Sequence, residues 1–230
     1  MEFSNKMEKL SVKYIDDFNK ESVKELSCRM NTLQRHAISE NLWNGNSPEL
    51  PKVSFAIAYT DSCILLKYFV QENSILVLHS KDNSPVHLDS CVEFFISFND
   101  EAAYYNLEFN SVGACYFAYG EDKNDRRLIE LDDISKIKRQ ATIESCIDNG
   151  SSMIHWELSI MIPFEAFAFH QLTSLSDVKC KANFYKCGDA LPSPHFLAWQ
   201  KLVSDTPNFH LPQFFGSLHF EKHPILIKTE

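Results

Sequence analysis

Glycine is scarce in this sequence, at six of 230 residues, which excludes a glycine-repeat or collagen-like chain. Basic clusters are also missing. Lys and Arg number 22 against 31 Asp and Glu, a net charge of −9, so neither nucleic acid nor an anionic membrane surface is expected as a partner. No apolar run approaches the roughly 18 residues that cross a bilayer. The start, Met1-Glu2-Phe3-Ser4-Asn5-Lys6, has no apolar stretch behind a basic patch, so no signal peptide is visible; a chain trimmed ahead of its start would look the same. No two of the seven cysteines form a C-x-x-C pair, and their number is odd. The expectation is therefore unpaired thiols in a reducing, cytoplasmic compartment. The motifs GxGxxG, P-loop, HExxH and GxSxG are absent. Cys180, Cys187, His195 and His210 match no familiar zinc spacing.

What the chain has in quantity is apolar residues, at 44%, with 18 phenylalanines among them. That is enough for a sizeable core. The first 45 residues read as a separate extension. Lys9–Ile15 alternates as a short edge strand would. Ser22-x-x-Glu25 has the form of a capping box, and Val23, Leu26, Met30, Leu33 and Ala37 follow at helical spacing. This predicts a helix over 22–37 that packs on a sheet. Asn44-Gly45, Pro48 and Pro51 mark a turn.

From Lys52 the apolar period becomes two. Strands are expected at 53–59, 64–70, 74–79, 91–98, 104–110, 114–119, 139–147, 153–162, 178–186 and 216–221, with a shorter run at 196–202. Trp156 lies in an alternating apolar run and reads as core. About eleven strands with little helix between them predict an all-β, antiparallel, jelly-roll-like β-sandwich over residues 46–222, with the helix packed outside and 223–230 as a tail.

Polar residues are densest in three stretches: Pro85–Glu93, Tyr104–Asn110 and Asn183–Asp189, the last running on to Trp199. Alternation puts Glu93, Asn106, Glu108 and Asn110 on faces that neighbouring strands would share. Such carboxylates and amides suit sugar hydroxyls, which both donate and accept hydrogen bonds; a solvated sheet face has the same pattern. Two glutamates on adjacent strands also meet the spacing of a glycosidase acid and base. Five prolines, Pro192, Pro194, Pro207, Pro212 and Pro224, stiffen a C-terminal region carrying His195, Trp199, Phe209, His210, Phe214 and Phe215. Stiff aromatic loops make binding platforms or seal the end of a sandwich.

Taken in order, Asp89-Ser90-Cys91-Val92-Glu93-Phe94-Phe95-Ile96, Tyr105–Asn110 with Gly113, Trp156-Glu157-Leu158 leading to Ile162-Pro163-Phe164, Asn183-Phe184-Tyr185-Lys186, Trp199 and Phe215–Phe220 resemble the family 9 carbohydrate-binding modules. The likeness covers about residues 40–222 and is nearer to the family-9-like domains of Bacteroidetes proteins, within the wider DOMON-type sandwich group. It implies a module that binds a mono- or oligosaccharide and does no chemistry, with the sugar held between two tryptophans. No cofactor is implied as required, although structural calcium is common in the family. Carried over, Glu93 and Glu108 face the ligand, Trp199 is one stacking wall, and Asn183 and Lys186 add hydrogen bonds. His87 stands where the second aromatic wall belongs, a departure from the two-tryptophan clamp that Trp43 would repair if the N-terminal segment folded over the site. No axial Met/His pair for DOMON-type haem can be placed among Met153, Met161 and the histidines. A sandwich that has lost sugar binding and serves protein interaction is the alternative.

Overall fold

The computed structural model describes residues 9–16, 22–41, 43, 50–148 and 151–223. The expected Asn44-Gly45 turn with Pro48 and most of the C-terminal tail lie outside them. Among the described residues there are fourteen strands: β1 (Lys9–Tyr14), β2 (His36–Ala37), β3 (Glu40–Asn41), β4 (Lys52–Tyr59), β5 (Cys63–Glu72), β6 (Cys91–Ser97), β7 (Tyr104–Asn110), β8 (Cys115–Gly120), β9 (Arg126–Leu128), β10 (Lys138–Asp148), β11 (Ser151–Pro163), β12 (Lys179–Cys187), β13 (Phe196–Ala198) and β14 (Gly216–Phe220). Helix α1 covers Val23–Met30 and α2 covers Leu131–Ile134.

The strands run in the order β10-β11-β5-β4-β1-β14-β12-β6-β7-β8-β9. Every pairing is antiparallel except those of β1, which lies parallel to both β14 and β4. Strand β1 is therefore not an edge strand. It is the seam at which the curled sheet passes from one layer of the sandwich to the other. The layers close on one apolar core in which Phe55 of β4 stacks on Phe184 of β12 at 3.7 Å, and Phe184 on Phe94 of β6 at 5.0 Å. Trp156 is in this core, as its alternation predicts.

Ser22 and Glu25 form the predicted capping box, each side chain taking the other's backbone N–H. The helix ends at Met30, short of the predicted Ala37, because His36 and Ala37 pair with Phe55 and Ser54 as β2. Leu26 and Met30 pack with Ala56, Leu65 and Phe69 on the outer face of β4 and β5. There the buried Lys67 ammonium donates to Ser27 Oγ at 2.9 Å and Asn31 Oδ1 at 2.7 Å. The expected strand at 74–79 does not form. The Leu76 amide goes to Ser90 Oγ, and those of Leu78 and His79 go to the Asp89 carboxylate, so side chains take the donors a ladder would use.

The two layers also share a buried ion pair. Lys186 of β12 lies 3.0 Å from Glu72 of β5, and Trp156 donates its indole N–H to the other Glu72 oxygen at 2.6 Å. The Lys186 ammonium also donates to the Cys187 carbonyl at 2.9 Å and to His195 Nε2 at 2.7 Å. Burial and the Lys186 charge hold His195 down to about 4, so it is the neutral acceptor. Lys186→Met leaves the Glu72 charge unpaired between the layers. It is expected to cost about 3–5 kcal/mol in urea unfolding; a loss under about 1 kcal/mol would show the pair to be incidental.

Candidate functional site

Strands β6, β7 and β12 are buried on both faces along nearly their whole length. One face meets the main core. The other lies under residues 196–215 and the 74–90 segment and carries a second apolar cluster of Phe95, Tyr104, Tyr185, Phe209 and Phe215. A cavity of about 530 Å³ opens on this second face. Register decides which side chains reach it. Glu93 lies directly opposite Glu108 on β7 and Tyr185 on β12, and Glu108 lies opposite Tyr116 on β8. All four therefore share the face, as the alternation of β6 and β7 predicts. Glu93, Glu108 and His87 all line the cavity.

The floor is an ordered polar relay. Arg126 lies over the Tyr104 ring at 4.4 Å and donates from Nε to Asn106 Oδ1 at 2.8 Å. Asn106 in turn donates to Glu108 Oε1 at 2.8 Å. The Cys187 thiol donates to Glu93 Oε1 at 3.1 Å. Glu108 Oε2 is buried and has no hydrogen-bond partner, although the His87 ring lies 3.8 Å away. Tyr104 and His210 share a hydrogen bond at 2.8 Å. Burial raises the Tyr104 hydroxyl to about 12, so it keeps its proton and donates. Burial, with the charges of Arg126, Lys123 and His87, holds His210 down to about 3, which leaves its other nitrogen as the N–H. The walls are Tyr116, Phe196, Phe209 and Pro207, with Asp189 and Lys123 among the charged members.

Three expected ligand residues are elsewhere. Ala198 pairs with Tyr185 and so takes the cavity face, which turns Trp199 to the opposite face. There its ring meets Phe55 and Phe184 edge-on at 6.2 and 5.6 Å, and only 5% of it is exposed. Trp199 is core, not a stacking wall. Lys186 pairs with Val92 and Leu197, both core residues, so its parity sends it to the Glu72 ion pair. Asn183 shares the face of Glu93 but is spent on backbone. It donates to the Gln200 carbonyl and accepts from the Gln200 and Phe184 amides. Asn110 is likewise structural, holding Asp89 and the turn at Gly113, whose φ of +89° suits glycine. Burial raises Asp89, but hydrogen bonds from Asn110, Leu78 and His79 outweigh it and keep it below the usual carboxylate range. Trp43 backs the cavity instead of lining it, packing on Phe196 and Phe209 at 6.1 and 6.0 Å.

Arg126, Tyr116, Phe196 and Asp189 were not singled out as site residues from the sequence. Arg126 sits in Glu121-Asp122-Lys123-Asn124-Asp125-Arg126-Arg127, which reads as a solvated charge run. Of these four, Phe196 and Asp189 lie within a stretch marked by its polar density, and Arg126 and Tyr116 do not.

Calcium takes six to eight hard oxygen ligands. Among the described residues no three carboxylates gather within 4.8 Å of one another; the group that does so is Cys91, Glu93 and Cys187. Two thiols do not suit calcium, and Asp89 is saturated by N–H donors, so the residues of this face do not fit that ion. All seven cysteines are free thiols, with Cys28 and Cys146 exposed.

Burial, together with Cys187 and Glu108, pushes the Glu93 carboxyl well above the usual carboxylate range. Burial pushes Glu108 up to about 7 against the hydrogen bond from Asn106 and the Arg126 charge. Burial also raises Asp189. Carboxyls raised in this way stabilise the fold while protonated, and the contribution is lost as pH rises through the folded-state value. The depressed His195 and His210 act oppositely, removing stability as pH falls below about 6.5. The unfolded-state histidines are half protonated near pH 6.5 and overlap this range, so the Glu108 part is the limb that separates the parent from a variant without its carboxyl, a loss of stability as pH rises from about 4.5 to about 7. Glu108→Gln is expected to flatten that limb in circular-dichroism melts; an unaltered slope would place the proton elsewhere. Trp199→Ala is expected to cost about 3–5 kcal/mol of stability, as for other buried aromatics; a near-unchanged melting temperature would contradict its place in the core.

The model of carbohydrate-binding family 9 matches residues 22–220. No curated protein matches the chain. Among solved structures, a candidate carbohydrate-binding protein from Bacteroides uniformis ATCC 8492 is 34% identical, with a TM-score of 0.84 over 94% of this chain and 100% of that one. A family 9 module from Caldicellulosiruptor kristjanssonii in complex with glucose shares the fold at 11% identity, with a TM-score of 0.62 over 96% of this chain and all of that one. The same organism's module in complex with cellotriose gives a TM-score of 0.60 at 10% identity, over 94% of this chain and 95% of that one. Family 9 is non-catalytic, so Glu93 and Glu108 are not the acid and base of a hydrolase. Matched over far more than half its length, the chain belongs to carbohydrate-binding family 9 and is a carbohydrate-binding module, not an enzyme.

Proposed function

We propose that the cavity over Glu93 and Glu108 is the sugar pocket, and that it holds a mono- or oligosaccharide by hydrogen bonds to a buried carboxyl pair beside phenylalanine and tyrosine walls. The observation that carries this is Glu108 Oε2, an acceptor buried without a hydrogen-bond partner on the floor of an open cavity. A buried acceptor left unmade is costly, and a sugar hydroxyl is a donor of the right size to fill it. Its other oxygen is fixed by Asn106, which Arg126 fixes in turn, so the acceptor is held in place before ligand arrives. His210, His87 and Asp189 add donors and acceptors around the rim. The two-tryptophan clamp of the family is not used. Phe196 and Phe209, backed by Trp43, offer the apolar wall, with Tyr116 beside them.

The glucose and cellotriose held by the Caldicellulosiruptor modules are natural first probes. Calorimetric titration is expected to give micromolar to millimolar affinity, since a few hydrogen bonds at about 0.5–1.5 kcal/mol each, with aromatic contact, must offset the cost of immobilising the ligand. Glu108→Ala should weaken binding at least about tenfold, the equivalent of 1.4 kcal/mol. Tyr116→Ala should weaken it less. Unaltered affinity in Glu108→Ala would remove the pocket from consideration. Silence across a glycan array would favour a sandwich that has lost sugar binding and serves protein interaction.

A further inference from the structure

We infer that Cys91, Cys187 and Glu93 form a binding site for a soft divalent transition-metal ion of the zinc type, set into the floor of the cavity. Cys91 and Cys187 face each other directly across β6 and β12, and Glu93 stands two residues along β6 on the same face. Their sulfur and oxygen atoms all lie within 4.8 Å of one another, and all three residues are buried. Donors around a tetrahedral zinc, at about 2.0–2.3 Å from the metal, stand roughly 3.3–3.8 Å apart, so a small inward movement of side chains closes the set. Two thiolates and one carboxylate are a soft donor set that favours zinc-like ions over calcium or magnesium. Three protein ligands leave a fourth position, and because Glu93 and Cys187 line the cavity, that position opens into it.

A second, independent feature points to the same place. Glu108 lies directly opposite Glu93 on β7, is 94% buried by its 6% exposure, and has one carboxylate oxygen without a hydrogen-bond partner on this cavity. Glu108 stands outside the three-donor group, and its open oxygen on the shared cavity can accept a hydrogen bond from a metal-bound water. As the two metal–sulfur bonds and the metal–carboxylate bond form, the two thiol protons and the proton of the buried Glu93 carboxyl leave to solvent, and no oxidant or reductant is needed. The site does not depend on sugar recognition, although it shares Glu93 and the open Glu108 oxygen with the proposed pocket.

Cobalt(II) alone is the probe, added to the 230-residue chain reduced with a phosphine and freed of thiol reductant. One equivalent is expected to produce a thiolate-to-cobalt charge-transfer band in the near ultraviolet, which one equivalent of zinc then removes. Cys91→Ser and Cys187→Ser should each reduce the band to background. Cys28→Ser and Cys146→Ser, at the two exposed thiols, should leave it unchanged. Glu93→Gln, which swaps one atom and spares the thiols if a serine variant fails to fold, should weaken cobalt binding at least about tenfold. No band at stoichiometric cobalt, a band that survives in both Cys91→Ser and Cys187→Ser, or a band lost in the exposed-thiol variants would each overturn the site. Sugar titrations run in a metal chelator report on the pocket separately, so failure of either reading is distinguishable from failure of the other.

Discussion

The feature on which the rest of this molecule depends is a sheet buried on both of its faces. An antiparallel sheet commonly keeps one face wet. Here β6, β7 and β12 have the main sandwich core on one side and an aromatic second layer on the other. Every polar side chain on those strands must then find a partner inside the protein or stand where a ligand can supply one. Asn183, Asn110 and Lys186 take the first course. Glu108 takes the second.

Strand parity sorts these fates. On β12, Phe184 and Lys186 point to the core, and Asn183, Tyr185 and Cys187 to the cavity side. A one-residue slip would exchange the two sets. It would place a lysine in the pocket and deprive Glu72 of its counter-charge. The Glu72–Lys186 pair, braced by Trp156 and His195, thus serves register as much as adhesion, because it is formed only when the two layers meet in this alignment.

The same burial explains the chemistry of the floor. Carboxyls and thiols removed from water hold their protons more tightly, and Glu93, Glu108, Cys91 and Cys187 are all raised, Cys91 to about 12. Carboxyls and thiols that keep their protons can both donate and accept, which suits uncharged hydroxyl groups. The Asp89-Ser90 portion of the motif works at one remove. Asp89 and Ser90 tie down the segment that carries His87 and so shape the rim without lining the cavity.

The sequence by itself determined the elements with local causes. The period-two runs predict most of the strands, the Ser22–Glu25 box predicts the start of α1, and alternation in β6 and β7 puts Glu93 and Glu108 on one face. The arrangement of motifs along the chain was enough to show the family resemblance. Only the tertiary structure decided what depends on partners distant in sequence. Trp199 looked like a stacking wall because a proline-rich loop carries it, but the pairing of Ala198 with Tyr185 fixes its parity and turns it into the core. Segment 74–79 has strand composition, but Asp89 and Ser90 claim its amides. Arg126 reads as part of a solvated charge run and becomes a half-buried brace because β9 lays it over Tyr104. Cys91 and Cys187 are 96 positions apart in the chain, and only the register of β6 against β12 sets them side by side. Alternation within one strand is a local property, but which face becomes core and which residue lies opposite is set by the neighbouring strand, and no single segment encodes that.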